Sequence, residues 1–316
     1  MQRLPSFVSL LSLAALVSLT AQPRAAHAWE SKGHRMINRL AASNLPPQVP
    51  EFLRTPAAIS EMEYLGPEPD RWRSPAEPEL NAAQAPEHFI DLELADPFAP
   101  LPHKRLEFEA KVFAAGQSPA KIGLQPWETD EVWERLKAAM REYRYLTSSQ
   151  DTQKPEVENT RAQDIAAVEQ AIIFYAGWLG HYVGDGSQPL HTTVQYNGWT
   201  GPNPHGYTAS HQIHHIFEGT FVDENIHLPE VQAKMTPPKV IDGDMFDAYM
   251  AYLRQSNSLV EKLYQLEKDG GFTGAGTPQS REFVTDRLAA GASMLRDMIY
   301  TAWVDSAQPV PPYGGK

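Results

Sequence analysis

Residues 161–186 read RAQDIAAVEQAIIFYAGWLGHYVGDG, and the centre of this segment is apolar nearly all round. Such a segment predicts a helix that runs through the core rather than along the surface. Around it the helical period recurs. GHRMINRLAASNL (33–45) sets Met36, Ile37 and Leu40 on one face and ends at the prolines between Pro46 and Pro50. LQPWETDEVWERLKAAMREYRYLT (124–147), with Asp130 near its start, predicts a strong amphipathic helix, and SHQIHHIFEGTFVDE (210–224) predicts another. Residues 243–270 and 280–307 each predict one long amphipathic helix. Residues 51–110 are proline-dense and predict irregular chain with short helical pieces. Residues 192–208, with their Gly, Asn, Pro and Thr, predict a loop. No run alternates as a strand would, and no shift in composition suggests a second domain. The expectation is an all-α fold, a single compact multi-helix domain over 29–316.

The first 28 residues stand apart. Arg3 precedes FVSLLSLAALVSLTA, and AHA precedes Trp29. A basic start, a short apolar core and a small–x–small site predict a cleaved secretory signal, an exported periplasmic or extracellular protein, and a mature chain that begins at Trp29. The apolar run falls short of the ~20 residues that span a bilayer, which weighs against an uncleaved anchor. No later segment reads as transmembrane.

Composition narrows the chemistry. Cysteine is absent, so an exported chain must draw its stability from its core or from metal ions. The formal charge is −12, and −14 once Arg3 and Arg24 leave with the signal. A broad basic surface for polyanions is excluded, and any phosphate recognition must be local, through metal ions or a few arginines.

GHYVGDGSQPLH (180–191) supplies the candidate chemistry. His181 and Asp185 lie four apart, so on a helix both can reach one ion. His214 and Glu218 repeat the spacing, and His191 falls between the pairs. Histidine and carboxylate without cysteine suit zinc in a hydrolytic site, or another borderline divalent ion. One such pair alone is more often a buried hydrogen-bonded histidine or a surface ion pair, and it is two such pairs with His191 between them that favour a metal. Asp185 closes the core helix, where an uncompensated carboxylate is costly and a cation would remove the cost.

These residues resemble the S1/P1 nuclease family, single-strand nucleases related to the bacterial zinc phospholipases C. The family is all-α with three zinc ions in one cleft. WESKGH matches its N-terminal Trp, with the α-amino nitrogen and carbonyl oxygen as ligands, and its histidine five residues on, which gives Trp29 and His34. DRWR gives Asp70 and Arg73, and HFID gives His88, Phe89 and Asp91. The H-x3-D-x5-H run is His181, Asp185 and His191, and the last His–acid pair is His214 and Glu218. The resemblance implies one zinc on Asp70, His88, His181 and Asp185, and a second on Trp29, His34 and Asp185, with Asp185 bridging. A third would sit on His191, His214 and Glu218. It further implies that Asp70 helps orient the nucleophile, that Arg73 binds the charged transition state, and that Phe89 and Asp91 hold an unpaired base. A surface ion pair for Arg73 and core packing for Phe89 stand as the plainer readings. His211 and His215 offer a rival face to His214, while His103, His205 and His227 read as ordinary surface residues.

The departures leave substrate choice open. The final acid in the nucleases is usually Asp after Trp, whereas Glu218 follows Phe217, as in the phospholipases. The spacings from Trp29 to His34 and from His191 to His214 favour the nucleases, and the family's disulfides are missing. The expected activity is an endonuclease on single-stranded RNA and DNA that leaves 5′-phosphates, with 3′-nucleotidase activity as an extension. The alternatives are a phospholipase C and a non-catalytic metal-binding protein. Beyond Ala307 only a Pro/Gly tail follows, with no appended lipid-binding module in view.

Overall fold

The computed structural model describes residues 29–148 and 155–310, with side chains from Thr160 onward in the second stretch. The expected signal, residues 1–28, lies outside the described residues. Among these the chain is helical and forms no strand. The principal helices are α1 (Glu30–Ser43), α2 (Pro56–Leu65), α3 (Glu68–Trp72), α4 (Gln125–Ser148), α5 (Pro155–Ser187), α6 (Met245–Asn257), α7 (Val260–Lys268) and α8 (Pro278–Asp305). α5, 33 residues long, is the central strut, with α1, α2, α4 and α8 packed around it. This is the through-core helix that the apolar run predicts.

Residues 51–110 do form short helices and 3-10 turns, and 192–208 remain loop apart from a 3-10 turn that ends at Thr192. One expectation is corrected: 243–270 is not a single helix but α6 and α7, broken at Ser258 and Leu259. The break falls in SNS (256–258), residues whose side chains compete for backbone partners. Asn257 Nδ2 donates to Thr192 O (2.9 Å), which ties the break to the segment just after His191. The expected helix over 210–224 is also composite. It runs as a short α turn Ile213–His215, a π turn Ile216–Thr220 and a final α turn Phe221–Asn225.

Two features bring α1 against α5. Gly180 on α5 faces Asn38 on α1 so closely that a Cβ there would lie 2.0 Å from Asn38 Oδ1. Asn38, fully buried, donates through Nδ2 to Met62 O (2.8 Å) and Gly177 O (2.9 Å), which joins α1, α2 and α5 at one point. Gly184, one turn further, leaves room for the His34 ring.

The C-terminal end of α5 stops inside the protein, where its last carbonyls need donors. Gln125 Nε2 (3.2 Å) and Tyr249 Oη (2.8 Å) donate to Tyr182 O, and Tyr252 Oη (3.0 Å) donates to Val183 O. Trp29 Nε1 donates to Gly184 O (2.8 Å) and Ser187 Oγ (2.9 Å). The Trp29 indole is thus a fully buried core element, 5.4 Å from the Phe217 ring.

Gly180→Ala should destabilise the protein by about 1–3 kcal/mol, the usual cost of overpacking. Thermal denaturation should show a lowered Tm. An unchanged Tm would mean that α1 and α5 separate freely at this point.

Candidate metal centre

The ends of α1, α3 and α5, the HFID segment and the π turn converge on one buried centre. Three groups of ligand-type atoms form there, each with its atoms within 4.8 Å of one another: His34, His181 and Asp185; Asp70, His88 and His181; His191, His214 and Glu218. All eight residues are buried.

Asp185 joins the first two groups with one oxygen toward each. Its Oδ1 lies 3.3 Å from His34 Nε2, while Oδ2 lies 3.2 Å from His88 Nδ1 and 3.4 Å from His181 Nε2. Among the described residues neither oxygen accepts a hydrogen bond, although the side chain is fully buried. Burial pushes the Asp185 carboxyl well above the usual carboxylate range, and the Asp70 and Glu218 charges add to the push. The negative end of the α5 dipole lies nearby and also favours a cation. Burial, with His34 and His88 alongside, holds the His181 imidazole well below the usual histidine range, so it is neutral and able to ligate.

The histidine tautomers point the same way. His181 Nδ1 donates to Gly66 O (2.9 Å), His191 Nδ1 to His88 O (2.6 Å) and His214 Nδ1 to Tyr196 O (2.9 Å). Each Nε2 therefore turns its lone pair inward, the arrangement that orients metal-ligating histidines. His191 and His214 bring their Nε2 atoms to 3.1 Å, and His214 Nε2 lies 3.1 Å from Glu218 Oε2. Two inward lone pairs at that distance repel unless a cation or a proton lies between them. Burial alone would lower the His214 pKa, but the Glu218 carboxylate and the Tyr196 carbonyl raise it overall. Burial alone would raise the Glu218 pKa, but His214 and His191 bring it down to about 2. Gln188 Nε2 donates to Glu218 Oε2 (2.9 Å) and fixes the carboxylate. The orphaned Asp185 oxygens and the facing Nε2 atoms thus fit divalent cations held by nitrogen and oxygen donors.

The π turn sets this third group. Phe221 N–H donates to Ile216 O, five residues back, and the turn carries Glu218 inward. It also settles the histidine register. His214 faces the centre, whereas His215 is exposed and pairs with Glu30 (2.6 Å) and His211 donates to Asn197 O (2.8 Å). His103 is exposed between Asp244 and Asp247. Glu30 and Trp29 both have positive φ (35° and 43°), so the chain entering α1 is tightly turned.

A cavity of about 510 Å³ opens onto the centre, and Arg73, His88, Phe89, Asp91, His191 and His214 contribute to its walls. Arg73 Nη1 lies 3.8 Å from Asp70 Oδ1, so its ion pair is with a ligand-type residue and not with the glutamates of the following loop. Phe89 is half-buried at the cavity wall rather than packed in the core. Burial, with Glu93 nearby, raises the Asp91 carboxyl to about 7. Lys121 and Tyr196 also line the cavity. The sequence reading did not single out Lys121, because nothing in its local pattern marks it.

The family model for the S1/P1 nucleases matches residues 29–291, a span that holds every one of these side chains. The chain belongs to the S1/P1 nuclease family. It is therefore a nuclease acting on nucleic acid, a hydrolase of phosphodiester bonds, in a zinc-dependent group. The match covers Glu218, so a Glu at that position does not by itself mark a phospholipase. No curated protein and no solved structure matches the chain. Among the described residues no helix is long and apolar enough to cross a membrane.

Asp185 faces two groups of ligands and Glu218 faces one. Asp185→Asn should therefore lower bound zinc and Tm more than Glu218→Gln. Elemental analysis and thermal denaturation of the two purified variants check this, and equal, mild losses would remove the bridging role.

Proposed function

We propose that the protein is an exported zinc-dependent endonuclease that hydrolyses single-stranded RNA and DNA and leaves 5′-phosphates, with 3′-nucleotidase activity at the same site. The observation that carries this reading is one cavity whose wall holds His88, His191 and His214 from two of the ligand-type groups, a guanidinium and an aromatic–carboxylate pair, with the His34, His181 and Asp185 group buried alongside. His34, Asp70, His88, His181, Asp185, His191, His214 and Glu218 would hold three zinc ions, together with the Trp29 main chain. When bound, zinc supplies Lewis acidity toward the phosphate and makes water a better nucleophile near neutral pH.

The chain's own residues do the rest. Arg73 offers a planar fork of donors to the phosphate oxygens as charge builds on them. Asp70, next to Arg73, aligns that fork and the attacking water. Phe89 stacks on a base, and Asp91 accepts a hydrogen bond from the base edge. Stacking takes any base but needs it unpaired, so the site selects single strands without a basic surface. Water adds to phosphorus, the bond to the 3′-oxygen breaks, and a proton ends on that oxygen, which leaves a 3′-hydroxyl and a 5′-phosphate.

Offered RNA, heat-denatured DNA, duplex DNA and phosphatidylcholine, the purified protein should cleave the first two fastest. Preferential cleavage of phosphatidylcholine would overturn the proposal.

The N-terminus offers a second test. Cleavage after Ala28 would free the Trp29 amine, whose unperturbed pKa is roughly 7.7–8.0 and which a cation would lower. An extension turns that amine into an amide, a far poorer donor. A version with a protease-removable extension before Trp29 should hold about two zinc ions and be nearly inactive, and removal should restore about three and full activity. Full zinc content with the extension attached would exclude the terminus as a ligand.

A further inference from the structure

Around Trp72, the residue before the cavity-lining Arg73, lies a run of aromatic rings that the metal groups do not account for and of which only Trp178 packs partly against the core. Trp72 meets Trp178 edge-on at 5.2 Å, and Phe174 lies 5.9 Å from Trp178. Phe174 is 36% exposed, and Trp72 and Trp178 are half-buried. Guanidinium groups interleave with the rings. Arg135 lies 5.6 Å from the Trp178 ring, and Arg71 lies 4.5 Å from that of Tyr64, itself 53% exposed.

Two connections tie this ledge to the centre. Phe174 and Trp178 are one turn apart on α5, and the next turn carries His181, so rings and ligands share one rigid helix. Trp72 sits between Arg71 and the cavity-lining Arg73.

The ledge is not basic. Arg71 pairs with Glu68, and Arg135 lies 3.6 Å from Glu131. In a chain of charge −12, a polyanion would not be drawn here by charge alone. The rings supply what charge does not, because every base has a π-face. Exposed ion pairs are weak, so each guanidinium can exchange its carboxylate for a phosphate.

We propose that Trp72, Phe174 and Trp178, with Arg71 and Arg135, form a stacking platform for the part of a single-stranded RNA or DNA that lies outside the cavity, past Arg73. The proposal rests on the nuclease reading and names where that substrate's affinity comes from. It explains how an acidic enzyme can hold a long polyanion. It also implies a shallow salt dependence, since only about two phosphates would be neutralised.

The experiment uses the zinc-loaded mature protein and oligothymidylates from the dinucleotide to about twenty nucleotides. KM and kcat would be measured together with quenching of tryptophan fluorescence. KM should fall about tenfold from the dinucleotide to the long strand, consistent with stacking of one or two bases. Phe174→Ala and Arg135→Gln, both at exposed positions, should raise KM for the long strand several-fold and leave kcat and KM for the dinucleotide unchanged. The logarithm of affinity should fall with slope about −1 to −2 against the logarithm of salt. A KM independent of length, or variants that affect both substrates equally, would overturn the platform. Fluorescence quenching by phosphatidylcholine vesicles but not by oligothymidylates would overturn it in favour of a lipid surface. Cleavage of no nucleic acid at all would instead sink the nuclease reading.

Discussion

The structure turns on one buried carboxylate. Asp185 has no exposure and among the described residues accepts no hydrogen bond, yet histidine nitrogens from three segments lie within 3.4 Å of its two oxygens. A fold does not leave a carboxylate in that state without compensation, because an unmet buried charge costs more than the ~1–3 kcal/mol of an unmade neutral hydrogen bond. That compensation is a proton, which the raised Asp185 pKa favours, or a cation set between the two groups of ligand-type atoms. Most of what surrounds Asp185 can be understood as holding that arrangement in place.

The fold supplies this support in two ways. Glycines on the last turns of α5 let α1 lie close enough for His34 to reach the same carboxylate as His181. The buried end of α5 is then held by four side chains from three other places, Trp29, Gln125 on α4, and Tyr249 and Tyr252 on α6, through its own carbonyls. Trp29 therefore has a structural reason to be tryptophan that is independent of its main chain. Its indole is the donor that closes the helix end next to Asp185.

The all-α class and the central helix were legible in the sequence because an apolar segment of that length has few other ways to satisfy its backbone. The convergence of ligand types was legible because i, i+4 spacing places His181 with Asp185 and His214 with Glu218. The tautomers were not, since the partners of Nδ1 are carbonyls of Gly66, His88 and Tyr196, and a carbonyl leaves no mark in a sequence. The break between α6 and α7 was hidden for a related reason. The apolar period continues across it, and the bonds that accompany the break, Ser258 Oγ to Gln255 O and Asn257 Nδ2 to Thr192 O, are made to carbonyls. The choice between Phe89 as core and Phe89 as cavity wall needed the third dimension, because aromatic residues serve both ends.

The π turn at Ile216–Thr220 has a consequence for how this region can vary. A π turn holds one residue more than the α turn it replaces. Its extra residue acts as a spacer in the chain's count, and the count sets how Phe221–Asn225 is turned relative to the helix before it. Thr220 is exposed, so a change of side chain there disturbs little. Loss of one residue is a different matter. It would restore the tighter spiral and turn the two flanking pieces by about 100° relative to each other. His214 and Glu218 would keep their spacing, but Phe221–Asn225 would be swung out of its packing although every residue there was still encoded. In this segment length is the inherited quantity, and a single-codon deletion would do what few substitutions can.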